Sequence, residues 1–122
     1  MRVYLSHPYG GKPENKEKAA RLASMYREIW DKEGKKNWEI VNPLAYFEPL
    51  AGTVDENTIL RVAVNLMLTC DGILYAPGWK KSRGCRYERM IAKAKGIPRI
   101  YLNKEDVQLF LSLAPRFKVG AA

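Results

Sequence analysis

Between Asp71 and Gly78 stands GILYAP (Gly72–Pro77), a run without a charged side chain at any position. A strand with one wet face alternates polar and apolar residues. A continuous apolar run belongs instead to a strand covered on both faces, as at the centre of a parallel sheet with crossover helices above and below it. Such a strand needs parallel neighbours, and the chain supplies them. RVYLS (Arg2–Ser6) is β-branched and aromatic and stops at the turn-rich HPYGGKP. WEIVNP (Trp38–Pro43) and RIYL (Arg99–Leu102) give two further short strands.

Helical spacing fills the intervals. From Glu14 to Lys35, Ala19, Leu22, Ala23, Tyr26, Ile29 and Trp30 share one face, with Pro13 at the start and Gly34 at the stop. After an irregular stretch, Thr53 and Glu56 stand at capping-box spacing ahead of a helix carrying Ile59, Val62, Leu66 and Met67. Ser82 is placed to cap a third helix running to about Lys95, which Gly96 and Pro98 end. KEDVQLFLSL (Lys104–Leu113) reads as a last helix, and PRFKVGAA either adds an edge strand or stays loose. The expected architecture is α/β: a flavodoxin- or Rossmann-like open parallel sheet of four to five strands in the order 2-1-3-4. Right-handed crossovers put helices on both of its faces, and residues 1–122 make one domain.

Composition narrows the classes. No apolar run approaches the ~20 residues of a membrane span, and no signal-peptide core precedes the first strand, so a soluble cytoplasmic protein is expected. Cys70 and Cys85 lack CxxC spacing, and His7 is the single histidine. Neither a disulfide framework nor a metal site is supported; reduced, buried thiols are expected. A formal net charge of +8 favours anionic partners, with nucleotide, RNA and DNA all open.

In open α/β sheets ligands sit beyond the carboxyl ends of the strands, where strand order reverses. Two loops fall there if strands one and three are neighbours. SHPYGG offers close backbone approach at Gly10 and Gly11 and polar groups at Ser6, His7 and Tyr9; PGWKKSRG contributes Gly78, Trp79, Ser82 and Gly84. Unpartnered amides at the start of the third helix favour an anion such as a phosphate. Glu88, about one and a half turns into that helix, can reach the same crevice. Its neighbours Arg86 and Arg89 suit an ionised nucleophile or base.

Each of these residues also has a plainer reading. Glu88 fits a surface ion pair with Lys81, Lys95 or an arginine; Ser82 fits a helix cap; Trp79 fits a packed rim aromatic as well as a platform for a base. His7 fits a hydrogen-bonded loop residue, and the basic run fits a solvated helix face.

The ordered set YLSHPYGG, VNP, CDGILYAPGW and SRGCRYE resembles the nucleoside 2-deoxyribosyltransferase-like superfamily, in particular small phage and bacterial members with a PGW turn. The pattern S-x-G-x-x-[YF]-E appears as Ser82, Gly84, Tyr87 and Glu88. The likeness runs from about Arg2 to Leu102 and is weakest between Leu44 and Asn57.

This resemblance implies cleavage or transfer of the N-glycosidic bond of a nucleoside or nucleoside 5′-monophosphate, with Glu88 as nucleophile and Tyr9 beside it in the chemistry. Ser6, His7, Gly10, Gly11, Ser82 and Gly84 would then hold sugar and phosphate, Gly78 and Trp79 would border the base, and no metal or cofactor is implied. It also implies a homo-oligomer. Relatives carry an acid near the position of Ala63 that assists the leaving base. Asn65 is the nearest polar side chain here, Asp55 stands at the helix start, and Asp71 is expected to be structural.

Three readings follow: an N-glycosidase or deoxyribosyltransferase of nucleotide scale, a catalytically weak nucleotide-binding module, and a nucleic-acid-binding protein driven by its charge.

Overall fold

The computed structural model describes residues 1–47 and 54–112. Four strands, β1 (Arg2–Ser6), β2 (Glu39–Val41), β3 (Gly72–Tyr75) and β4 (Arg99–Tyr101), form one parallel sheet in the order β2-β1-β3-β4. Strand order therefore reverses between β1 and β3, and the crevice beyond their carboxyl ends is the natural ligand position of such a sheet.

The helices are α1 (Pro13–Lys32), α2 (Pro43–Phe47), α3 (Glu56–Met67), α4 (Arg83–Lys95) and α5 (Lys104–Ser112). The period of two along β1 divides the core. Val3 and Leu5 join Leu74 of β3, Ile40 of β2 and Ala19, Leu22, Ala23 and Trp30 of α1, with Val107 of α5 packed against them. On the opposite face Tyr4 joins Ile73 and Tyr75 of β3, Val64 and Met67 of α3 and Ala92 of α4. Helices thus cover both faces, as the unbroken apolar run of β3 requires.

The ends of the helices follow local chemistry. Pro13 opens α1, where its missing N–H costs nothing. Ser82 caps α4, its Oγ accepting from the Cys85 amide at 3.2 Å, and Gly96 closes it at φ 70°, a left-handed conformation that glycine adopts without strain.

Several boundaries differ from those the sequence predicts: β3 ends at Tyr75 and β4 at Tyr101, short of Pro77 and Leu102, where pairing with their neighbours stops. α1 ends at Lys32 rather than Lys35, because the chain turns at Glu33 and Gly34. β2 is confined to the three residues that pair with β1. The stretch after Asn42 is not irregular throughout: the Asn42 side chain accepts from the Leu44 amide at 3.3 Å and starts the short α2. α3 is capped by Asp55, which accepts from the Thr58 amide at 3.1 Å. The expected cap, Thr53, lies outside the described residues, as do Leu113 and the tail PRFKVGAA. Among the described residues no helix is long and apolar enough to cross a membrane.

Candidate functional site

Tyr4 and Ser6 stand two residues apart on β1 and therefore point to the same face, the one covered by α3 and α4. Both side chains are fully buried. Both hydroxyls donate to one carboxylate: Tyr4 Oη to Glu88 Oε2, and Ser6 Oγ to Glu88 Oε1 at 2.8 Å. Glu88 is only 6% exposed, which rules out the surface ion pair. Its flanking arginines turn elsewhere. Arg86 is exposed, and Arg89 donates through Nε to Tyr101 Oη at 3.0 Å while its guanidinium lies over the Trp79 ring.

The expectation of a carboxylate held ionised by those arginines is therefore corrected. Burial pushes the Glu88 pKa up to about 7, opposed in part by the hydrogen bonds from Tyr4 and Ser6. Desolvation disfavours the charged form, and two hydroxyl donors recover only part of what water would supply. Near neutral pH its protonated and ionised forms are therefore both populated. The same burial, with Glu88 beside it, raises the Tyr4 phenol well above its ordinary value, so Tyr4 stays a donor.

A cavity of about 540 Å³ opens in front of Glu88. It has two kinds of wall. His7, Tyr9, Gly10 and Gly11 of the loop after β1 and Ser82, Gly84 and Cys85 at the start of α4 form a polar, backbone-rich side. Gly10 and Gly11 have φ of 59° and 72°, consecutive left-handed residues that only glycines adopt readily. Across from them Pro43, Leu44 and Phe47 of α2, Val54, and Ile59, Leu60 and Ala63 of α3 form an aliphatic and aromatic wall, with Glu56 at its exposed rim. Glu56 faces Arg83 at 3.8 Å. Burial lowers the His7 pKa, so its imidazole is neutral at neutral pH. It raises the Cys85 thiol to about 11, with the Ser6 and Ser82 hydroxyls within hydrogen-bonding reach.

Residues 1–101 match the family described as "Domain of unknown function (DUF4406)". The chain belongs to this family. No curated protein and no solved structure matches it. The matched span runs from β1 through the last residue of β4, so in this DUF4406 chain it contains every described residue that lines the cavity, while α5 lies outside it.

Of the residues singled out in the sequence, His7, Tyr9, Gly10, Gly11, Ser82, Gly84 and Glu88 line the cavity of the DUF4406 domain, and Ser6 holds Glu88 from behind. Three others do not line it. Trp79 packs against Tyr75 and Tyr101, with ring centroids 5.7 and 5.2 Å away, on the side of β4. Gly78 beside it abuts Pro8, whose Cγ would lie 3.6 Å from a side chain there. Asn65 is exposed on α3. The expectation that Trp79 borders the bound base is corrected by this packing: the 3-10 turn at Trp79–Lys81 swings the indole toward β4.

Asp71 accepts from the Arg2 amide at 2.7 Å at the opposite end of the sheet, a structural role. Sequence reasoning missed Tyr4, Cys85 and the aliphatic wall. For Tyr4 a signal was present, since it shares the alternation of Ser6. Cys70 and Cys85 are both buried and unpaired with each other, and among the described residues no His, Cys, Asp or Glu cluster converges as metal ligands.

Proposed function

We propose that this protein cleaves or transfers the N-glycosidic bond of a nucleoside or nucleoside 5′-monophosphate through Glu88. The observation that carries the reading is a carboxyl that is buried, held at both oxygens by β1 hydroxyls, and open to a cavity of nucleotide scale. A carboxyl with these constraints is poorly suited to stabilising a fold and well suited to meeting a developing positive charge.

In the first step an ionised Glu88 oxygen attacks the anomeric carbon as the bond to the base breaks, giving a glycosyl ester. Water or a second base then accepts the sugar from that ester. Tyr4 and Ser6 fix the carboxylate's orientation and steady its charge before attack. The glycine loop and the start of α4 supply N–H groups toward the sugar and its phosphate, with Ser82 and Tyr9 beside them. The aliphatic wall receives the flat face of the base. The likeness of SRGCRYE to the nucleoside 2-deoxyribosyltransferase-like superfamily supports the same assignment. A homo-oligomer and a cytoplasmic setting belong to this proposal as well.

A second reading, a nucleotide-binding module of low turnover, is favoured by Ala63. That position lines the cavity but carries no acid to protonate a leaving base, and such protonation typically contributes 10²–10⁴-fold. The test is incubation with a panel of nucleosides and 5′-monophosphates, with released base followed by chromatography. Base release rising with pH through about 7, as Glu88 ionises, supports the glycosidase. Tight binding of a nucleotide with no release supports the module.

A further inference from the structure

The cavity distributes charge unevenly around Glu88. Among the described residues its only other carboxylate is Glu56, which is exposed at the rim and faces Arg83. Among the described residues the wall available to a departing base is Ile59, Leu60 and Ala63 from α3 with Leu44 and Phe47 from α2, side chains that neither give nor accept a proton. His7, on the polar wall, is held neutral by burial and has no extra proton to hand over. A neutral nucleobase leaving as an anion into such a wall would be a charge placed in an apolar setting without a partner, which is strongly disfavoured.

We propose that the substrates of this site are N-glycosides whose base is already cationic, such as a pyridinium or an N-alkylated purine nucleotide. The proposal rests on Glu88 acting as nucleophile. In the reactant the fixed positive charge of the ring faces the Glu88 carboxylate, a favourable pair in a partly desolvated cavity. As the Glu88 oxygen bonds to the anomeric carbon, the electron pair of the breaking C–N bond moves onto the ring nitrogen. The cationic ring becomes a neutral base, and the carboxylate becomes a neutral ester. No proton is needed for departure. Water then attacks the ester, its hydroxyl stays on the sugar, its proton is released, and the carboxylate is restored. Both charges vanish together in the first step, which suits a wall of aliphatic side chains.

The proposal is tested on one matched pair, 7-methylguanosine 5′-monophosphate and guanosine 5′-monophosphate, which share sugar, phosphate and ring size. Rates are read as released base and corrected for spontaneous loss, with nicotinamide mononucleotide as a second cationic substrate. The expected result is a kcat/KM for the methylated nucleotide at least ~100-fold above that for the unmethylated one, the smallest factor that general-acid assistance usually contributes. Ala63→Asp, which places an acid on the wall, should raise turnover of guanosine 5′-monophosphate and so narrow the ratio between the two substrates.

Equal or preferred turnover of the unmethylated nucleotide would overturn the cationic substrate class while leaving Glu88 as nucleophile. No release from any of the three, in wild type as in Glu88→Gln, would overturn both. If Ala63→Asp fails to fold, the wild-type comparison decides alone.

Discussion

Glu88 carries a cost that its position explains. A carboxyl whose folded pKa stands above its unfolded value favours folding fully below the unfolded pKa, and that contribution is lost as pH rises through the folded one. For Glu88 the window runs from its ordinary 4.5 up to about 7. At ~1.4 kcal/mol per pKa unit, wild type should lose ~3 kcal/mol of stability across it. Glu88→Gln keeps the shape and has no charge to bury. Urea titrations at pH 5 and pH 8 should therefore show a variant near wild type at the lower pH and more stable at the higher; parallel losses in both proteins would show that Glu88 is not the group responsible. Tyr4→Phe removes the donor to Oε2, and hydrogen bonds to charged groups contribute ~1.5–3 kcal/mol. The rising limb of the pH–rate profile should then move up by about one pH unit, whereas an unmoved limb would deny Tyr4 its role. None of this was legible in RYERM, where neighbouring arginines argue for an ionised side chain. Protonation follows from burial, and the residues that bury and hold the carboxyl include Tyr4 and Ser6 of β1, more than eighty residues away in sequence.

The elements themselves were legible where their signals are local. β1, and α4 between Ser82 and Gly96, match the reading from sequence because strand composition, an N-cap and a left-handed C-cap act within a few residues. The start of α3 was misplaced because Thr53 and Asp55 are both residue types that cap helices, and it is Asp55 whose side chain accepts from the Thr58 amide. Trp79 shows the limit at this scale. Its turn was readable, but the direction of its ring depends on Tyr75 and Tyr101, which stack at 5.0 Å and offer it an aromatic neighbour. The packed position predicts that Trp79→Ala costs ~2 kcal/mol of stability, less than a fully buried tryptophan because the residue is half-buried. Nucleotide affinity should stay within about threefold of wild type, a difference below ~1 kcal/mol. A larger loss of affinity in calorimetry would return the indole to the site.

At the scale of the whole molecule, alternation of strands and helices implies an open parallel sheet, and the pairing of β1 with β3 in the order β2-β1-β3-β4 brings the loop after β1 and the start of α4 to one crevice. The net charge of +8 does not locate that crevice. Lys80, Lys81 and Arg86 are exposed outside the cavity, and the buried ionisable carboxyl lining it is that of Glu88. Charge thus speaks for general attraction to polyanions, while Glu88 with its two hydroxyls speaks for chemistry on one small ligand. The most direct measurement compares released base from wild type and Glu88→Gln at pH 8, each saturated with a nucleotide whose dissociation constant has been measured for both. The account predicts that base release at saturation falls at least ~10³-fold in the variant, with the fold intact. Undiminished release from Glu88→Gln would contradict it.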